Sequence, residues 1–181
     1  MMPFAKILIA EDDDNTGELY LVALGARGHE VILTKNGKEC LAKYQADLKK
    51  SKGDFKKTFD TVVLDYSMPV MDGLEAAKRI LELRPDQRII FASAHVADTL
   101  AEAIKELRMV VELIPKPFAI QELVNTIEDK KVYEQLSVIN VDIKRLKAWN
   151  PDHNQLAALL EQLVKLRTNN ADVKKIIDIS Q

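Results

Sequence analysis

Short apolar runs alternate with longer segments of helical period from the N-terminus to about residue 127. The runs are rich in β-branched residues and seldom alternate with polar ones. This pattern is typical of strands in a parallel sheet whose two faces are both covered by helices. We predict five strands, at Ile7–Ala10, Val31–Leu33, Thr61–Leu64, Ile89–Ala92 and Val110–Ile114.

Between the runs, apolar side chains recur every three or four residues, as they do on helices that bury one face. Strands that alternate with helices imply right-handed crossovers and a doubly wound α/β sheet. The predicted faces are Leu19, Val22, Ala23 and Ala26; Leu74, Ala77, Ile80 and Leu81; Leu100, Ala103, Ile104 and Leu107; and Leu123, Val124 and Ile127.

Polar side chains suited to metal or phosphate chemistry follow every predicted strand except the second. In a doubly wound sheet, ligands bind beyond the carboxyl ends of the strands, close to the point where the strand order reverses. In chain order, these side chains are Glu11 to Asp14, Asp65, Ser93 and Lys116. We therefore expect them to form one site.

The residue types at this site indicate phosphoryl chemistry with a metal ion. Carboxylates that share a site repel each other unless a cation lies among them, and Mg²⁺ accepts carboxylate oxygens and bridges to phosphate. A carboxylate such as Asp65 can attack phosphorus, while Lys116 and the Ser93 hydroxyl can stabilise the phosphoryl oxygens. Asp13 and Asp14 fit another role, because they precede a helix whose N-terminus favours negative charge.

Four motifs carry a family resemblance: ILIAEDD with Glu11 and Asp12, VVLDYSMPVMDG with Asp65, IIFASAH with Ser93, and LIPKPF with Lys116. In this order they resemble the receiver domains of two-component response regulators, from about residue 6 to residue 127. The resemblance implies a flavodoxin-like, doubly wound parallel sheet of five strands in the order 2-1-3-4-5. It also implies a signalling protein that catalyses only its own phosphorylation and dephosphorylation.

The resemblance further implies a set of metal ligands. Glu11 and Asp12 would hold Mg²⁺, one of them through a water molecule, and Asp65 would be both a ligand and the nucleophile. Since one of the two acids would bind through water, the backbone carbonyl of Ser67 would be the third direct protein ligand.

The remaining implied roles concern the phosphoryl group. Lys116 would pair with Asp65 or its phosphate, and Ser93 would move toward the phosphate. The peptide bond between Lys116 and Pro117 is expected to be cis. The donor would be the phosphohistidine of a sensor histidine kinase or of a phosphotransfer protein.

Three features depart from the family pattern. Leu113 stands three residues before the lysine, where the family has an aromatic switch residue, so a rotating aromatic cannot report phosphorylation here. Pro115 stiffens the end of the fifth strand. A lysine-rich segment around Gly53 lengthens the approach to the third strand and predicts a solvated loop. None of the three removes a phosphorylation residue.

The last part of the chain indicates helices. We predict a receiver domain at residues 1–129 and a helical extension at residues 130–181, with breaks at Asn150-Pro151 and near Asn169-Asn170. Two apolar seams predict a helical hairpin, and a short third helix follows it. The seams are Val132, Leu136, Ile139, Ile143 and Leu146, then Leu156, Leu159, Leu163 and Leu166; the third helix carries Val173, Ile176 and Ile177.

Several roles for the extension stay open at this point. It packs on itself or on the receiver, or it joins the extension of a second copy to form a homodimer. The alternative function is a DNA-binding transcriptional regulator that acts through these helices, which contain Lys144, Arg145 and Lys147. No helix-turn-helix pattern and no strands for a wing accompany these basic residues, which speaks against DNA as a partner.

Two further sequence features suggest other chemistry only weakly. An aspartyl phosphatase would need a second acid two residues after the nucleophile as general acid, and Ser67 stands there instead. His153 is a candidate phosphohistidine, but no other kinase motif accompanies it, and we predict a surface histidine.

Composition limits the partners and the cellular location that we expect for the chain. The formal net charge of −2 gives no general reason to expect nucleic acid. A single cysteine, Cys40, which we predict to be buried on a helix, excludes a disulfide framework and favours a reducing compartment. No stretch approaches the ~20 apolar residues that a membrane span needs, and the first apolar run is too short for a signal peptide. We therefore expect a soluble, cytoplasmic protein.

Overall fold

A computed structural model describes residues 5–52, 54, 58–94, 112–139, 141–142, 145 and 153–165. Within these residues the strands are β1 (Lys6–Ala10), β2 (Glu30–Thr34), β3 (Thr61–Leu64), β4 (Arg88–Ser93) and β5 (Glu112–Pro115). The helices are α1 (Asp14–Ala26), α2 (Gly37–Ser51), α3 (Gly73–Leu83), α4 (Ile120–Val138) and α5 (residues 153–165).

The five strands form one parallel sheet in the order β2-β1-β3-β4-β5, which confirms the predicted topology. The three central strands are almost continuously buried, because helices cover both faces of a sheet of this kind. The strand order reverses at β1, between β2 and β3. The carboxyl ends of β1 and β3 therefore lie side by side at the place where such sheets bind ligands.

The core on one side of the sheet is formed by β1, β3 and β4 with α2 and α3. Its largest fully buried side chains include Tyr44, Phe59 and Phe91. Cys40 is also buried there, as predicted, and burial raises the pKa of its thiol to about 12. A thiol of this kind stays protonated and unreactive near neutral pH.

The predicted buried face of α1 is wrong. Leu19 and Val22 are 51% and 62% exposed, and the helix instead buries Gly17, Tyr20 and Leu24. The reason is the closeness of α1 to β2: a Cβ atom at Gly17 would lie 2.9 Å from the side chain of Leu33. The helix therefore approaches the sheet along its glycine, and the more apolar face is left in solvent.

The predicted helix with Leu100, Ala103, Ile104 and Leu107 lies outside the described residues. The chain divides into two compact units after Val124, and α4 contains this boundary. The boundary predicted at residue 129 stays a prediction. In the part of the chain that the structure describes, no helix combines the length and apolar character needed to cross a membrane.

The helical extension is confirmed, but its first helix is shorter than predicted. α4 ends at Val138, and Val141 lies beyond it. The backbone N–H of Val141 donates to the carbonyl of Leu136 at 3.0 Å, a bond that closes a helix end. β-Branched side chains around this end lower the helix propensity. The predicted seam residues Ile143, Leu146 and Leu166 and the third helix with Val173, Ile176 and Ile177 lie outside the described residues.

Both predicted seams contribute to one apolar cluster in the extension. Val132 and Leu136 of α4 and Leu156 of α5 are its buried members. Partly buried side chains around them include Ile139, Leu159 and Leu163.

The prediction of a surface position for His153 is wrong. Its side chain is 1% exposed, with Nδ1 2.5 Å from Asp129 Oδ1 and Nε2 3.0 Å from Glu128 Oε2. Glu128 is itself fully buried. An imidazole enclosed in this way connects α5 to α4 and cannot present a nitrogen atom to a phosphoryl donor.

Candidate functional site

The candidate site lies at the carboxyl ends of β1, β3 and β5. The backbone N–H of Asp65 donates to the carbonyl of Ala10 at 2.9 Å, and that of Glu11 donates to Thr34 at 3.0 Å. These ladder bonds continue the pairing of the strands by one residue. The side chains that follow β1 and β3 are therefore held on rigid backbone.

Three of the predicted ligands are brought together. One carboxylate oxygen each of Glu11, Asp12 and Asp65 lies within 4.8 Å of the other two. Asp12 is exposed, Asp65 is half-buried and Glu11 is 2% exposed. The group is thus open to solvent at Asp12 and closed to it at Glu11.

Lys116 reaches this group from β5. Its Nζ lies 2.8 Å from Asp65 Oδ2, as the sequence predicts, and 2.7 Å from Glu11 Oε2, which the sequence does not predict. Both are charge-assisted hydrogen bonds of normal length. One ammonium group therefore connects the ends of β1, β3 and β5.

The electrostatics of the site follow from burial and from this pairing. Burial raises the pKa of Glu11 above its ordinary value, although the hydrogen bond and charge of Lys116 act in the opposite direction. Burial alone would lower the pKa of Lys116, but its bonds to Asp65 and Glu11 more than offset this effect and raise its pKa. Lys116 therefore keeps its positive charge at any physiological pH.

The residues present fit a magnesium ion. Three carboxylates face a single ammonium group, so a further cation would reduce their mutual repulsion and the cost of burying Glu11. The donor set consists of oxygen atoms, and the exposed side of the group leaves room for the water molecules that Mg²⁺ retains.

The structure places the other two predicted residues near the same edge. The backbone N–H of Ser67 donates to Asp65 Oδ1 at 3.2 Å, so the chain turns directly after the acceptor. Ser93 is the last residue of β4 and is completely buried. The N–H of Lys116 donates to the carbonyl of Ser93 at 2.9 Å, which aligns the ends of β4 and β5.

The loop that follows Asp65 is closed by Gly73, whose role the sequence does not predict. The N–H of Gly73 donates to the carbonyl of Tyr66 at 3.0 Å. A Cβ atom at Gly73 would lie 2.1 Å from the backbone oxygen of Asp65, much closer than any real contact. Only glycine permits this approach, so the residue fixes the backbone of the acceptor position.

Two of the sequence departures fall on β5. Leu113 is partly buried against the core, and Pro115 is exposed at the end of the strand. The peptide bond between Lys116 and Pro117 is cis, as predicted.

A groove of about 260 Å³ runs beside Lys116. Its floor includes the stacked rings of Tyr20 and Phe118, whose centroids are 6.0 Å apart. Leu19 forms part of its wall, and Leu21 and Val22 of the same helix are also exposed. An open apolar surface therefore adjoins the charged site.

Comparison with known proteins places the chain in a family. The family model for the response regulator receiver domain matches residues 7–128. The chain is 38% identical over 128 residues to the DNA-binding transcriptional regulator NtrC of Azospirillum brasilense; the match covers 70% of this chain and 24% of NtrC. It is 31% identical to the response regulator receiver protein CpdR of Brucella abortus, over 68% of this chain and 93% of CpdR.

Solved structures agree with this family. The chemotaxis protein CheY4 of Vibrio cholerae matches in fold with a TM-score of 0.59 at 24% identity, over 70% of this chain and 98% of CheY4. A CheY from Borrelia burgdorferi, solved in a complex with CheX, BeF₃ and Mg²⁺, matches with a TM-score of 0.56 at 26% identity, over 68% of this chain and 85% of that chain. With its parallel sheet and its group of carboxylates, the chain belongs to the response regulator receiver domain family.

Proposed function

We propose that Asp65 is the phosphoacceptor of this chain and that Glu11, Asp12, Asp65 and the carbonyl of Ser67 hold Mg²⁺ beside it. The observation that carries the proposal is the meeting of three carboxylates and the Lys116 ammonium at the carboxyl edge of the sheet. Of the three carboxylates, Asp65 directly follows the central strand β3 and accepts hydrogen bonds from both Lys116 and the N–H of Ser67.

The chemistry of these residues accounts for phosphoryl transfer. A carboxylate oxygen of Asp65 attacks phosphorus, and the donor imidazole leaves with the electron pair of the broken P–N bond. When bound, Mg²⁺ would supply positive charge that stabilises the phosphoryl oxygens. Lys116 is already within hydrogen-bond distance of Asp65. Once Asp65 is phosphorylated, the same ammonium group stabilises the negative charge of a phosphoryl oxygen. The Ser93 hydroxyl then donates to the phosphate, which favours one of two states of the domain.

The donor is a sensor histidine kinase or a phosphotransfer protein, and the apolar groove beside Lys116 is a surface on which it can dock. Leu19 and Val22 extend this surface along α1. Exposed apolar area next to a reactive group is characteristic of a surface that meets a protein partner. A cytoplasmic location accords with such a donor and stays a prediction.

Removal of the metal tests the proposal directly. Acetyl phosphate with Mg²⁺ should add one phosphoryl group to the chain, as detected by intact-mass spectrometry. Chelation of divalent ions by EDTA should reduce the rate of labelling at least ~100-fold, because the carboxylates then face the incoming phosphoryl oxygens without a neutralising ion. Equal labelling with and without EDTA would contradict the assigned metal site.

For the output we propose self-association of the helical extension rather than DNA binding. Val138 of α4 and Val164 of α5 are 75% and 45% exposed, so the described part of the extension leaves apolar side chains in solvent. Among the basic residues considered for DNA binding, Arg145 pairs with Asp142 at 3.5 Å. The other two, Lys144 and Lys147, lie outside the described residues. The match to NtrC covers only a quarter of that protein, so its DNA binding is not carried over.

The oligomeric state should respond to a phosphate mimic. Light scattering should show that the mass doubles when beryllofluoride and Mg²⁺ are added, and Val138→Lys should prevent the doubling. A monomer in both states would mean that phosphorylation is read by another protein partner and not by self-association. A dimer in both states would make the extension a fixed scaffold that does not respond to phosphorylation.

A further inference from the structure

The helical extension encloses a cluster of three ionisable side chains, Glu128 and Asp129 of α4 and His153 of α5. The imidazole lies between the two carboxylates, with Nδ1 2.5 Å from Asp129 Oδ1 and Nε2 3.0 Å from Glu128 Oε2. The side chains of His153 and Glu128 are 1% and 0% exposed, and that of Asp129 is 28% exposed. None of the three belongs to the phosphoacceptor site, so the chemistry proposed there does not account for their burial.

The cluster adjoins the apolar contact between the two helices. On α4, Glu128 shares a face with Val132 and Leu136, since the three recur every four residues. On α5, His153 precedes Leu156 by about one helical turn. The apolar residues among these are the buried members of the cluster that joins α4 to α5. A change in the charged cluster therefore alters how firmly α5 is held against α4.

The contacts on the two sides of the imidazole require two protons. A ring nitrogen and a carboxylate oxygen are both acceptors when neither carries a hydrogen, so each close contact needs a proton between its atoms. An imidazolium between two carboxylates supplies both protons, and so does a neutral imidazole beside one protonated carboxyl group. Nε2 of His153 is shielded from solvent and has no aligned hydrogen-bond partner among the described residues, so no water offsets the loss of its proton.

An opened extension binds fewer protons near neutral pH. Once α5 separates from α4, both carboxylates are hydrated and ionised, and the imidazole alone changes its charge in this range. In mildly alkaline solution the open cluster then keeps only the N–H of a neutral ring, one proton fewer than the closed cluster. A state that binds one more proton loses stability relative to the other by about tenfold for each unit of rising pH.

Two further features of α4 bear on the charge around the cluster. Burial and the charge of Asp129 raise the pKa of Tyr133, so its hydroxyl stays neutral near neutral pH. Lys130 and Glu134 form an exposed ion pair at 3.6 Å, which water screens. The dependence on pH therefore comes from the protons of the cluster itself.

We propose that Glu128, Asp129 and His153 form a proton-binding site that holds α5 against α4, so that the helical extension loosens as the pH rises. The ligand is the hydrogen ion, which the closed form takes up from the solvent and the open form releases. Loosening exposes the apolar side chains of Val132 and Leu156 to the surroundings. The inference concerns the extension alone and does not depend on phosphorylation of Asp65.

Amide hydrogen exchange of the full chain, without a phosphoryl donor, tests the inference. Dividing the intrinsic exchange rate at each pH by the observed rate gives a protection factor, which reports local opening. Protection of α5, at residues 153–165, should fall about tenfold between pH 6 and pH 8 relative to protection of α1 in the same sample. The comparison with α1 separates opening of the extension from changes in the stability of the whole chain.

Two substitutions should remove this dependence on pH. In Glu128→Gln the side-chain amide can donate an N–H to Nε2 at any pH, so a neutral imidazole is satisfied on both sides. Asp129→Asn supplies an N–H to Nδ1 in the same way, at a position that is partly exposed. In both variants the relative protection of α5 should change less than twofold between pH 6 and pH 8. Glu134→Gln, which alters an exposed glutamate of the same helix, should keep the tenfold fall.

Two results would overturn the inference. Equal relative protection of α5 at pH 6 and pH 8 in the unaltered chain would mean that the closed form holds no additional proton. An undiminished fall in Glu128→Gln and in Asp129→Asn would assign the dependence on pH to other groups. Failure of the proposed function has a different signature, because loss of labelling by acetyl phosphate leaves the exchange of α5 unaffected.

Discussion

Replacement of Asp65 by asparagine should abolish the Mg²⁺-dependent labelling of the chain by acetyl phosphate. The amide has the shape of the carboxylate but lacks its charge and its nucleophilic oxygen, so it can neither attack phosphorus nor balance the positive charges around it. We expect labelling to fall below detection, at least ~1000-fold, while the fold is retained. Intact-mass spectrometry measures the labelling, and circular dichroism checks the fold.

Asp13→Asn is the matched control for this variant. Asp13 is exposed two residues from Glu11 and accepts a hydrogen bond from the N–H of Thr16 as the N-cap of α1. Asparagine is an equally good N-cap, so this change removes one nearby charge and leaves the helix intact. It should alter labelling less than twofold. Undiminished labelling of the Asp65 variant, or equal losses in both variants, would remove Asp65 from the role of acceptor.

The site could be predicted because it depends on strand ends. Once the sequence indicates parallel strands, the residues that follow them must meet at one edge of the sheet, and Glu11, Asp65 and Lys116 do so. Their charges then determine the chemistry that is available. Neither step requires a knowledge of side-chain packing.

The helix faces were harder to predict because packing decides them. The sequence pattern on α1 favoured Leu19 and Val22, whereas the sheet receives the helix along Gly17, Tyr20 and Leu24. Glycine adds nothing to an apolar pattern, yet its missing side chain allows the closest approach between elements. Gly17 is followed three and seven positions later by the large side chains of Tyr20 and Leu24. This spacing is a sequence signal that could have identified the buried face.

The polar residues of the extension illustrate a similar limit. Nothing in the local sequence around His153 indicates burial, because its partners Glu128 and Asp129 lie on another helix. Buried ionisable groups occur when other charges compensate them, and such compensation is a property of the folded chain. A pattern that considers one residue at a time therefore predicts a surface position.

Gly73→Ala should strongly destabilise the receiver domain, although it adds a single methyl group. The new Cβ atom would be placed 2.1 Å from the backbone oxygen of Asp65, where neither atom belongs to a flexible side chain. The loop or the end of β3 must move, and we expect the free energy of unfolding to fall by about 3 kcal/mol. Urea denaturation, followed by circular dichroism, measures this change.

Gly25→Ala adds the same methyl group to a helix where nothing lies within 4 Å of the new atom. Because alanine favours helix more than glycine does, the free energy of unfolding should rise by about 0.5 kcal/mol. Opposite signs for the two substitutions would show that Gly73 is required for its closeness to Asp65 and not for chain flexibility in general. If Gly73→Ala were as stable as the unaltered chain, the acceptor loop could not be held in the geometry described for it, and rigid placement of Asp65 would cease to explain the site.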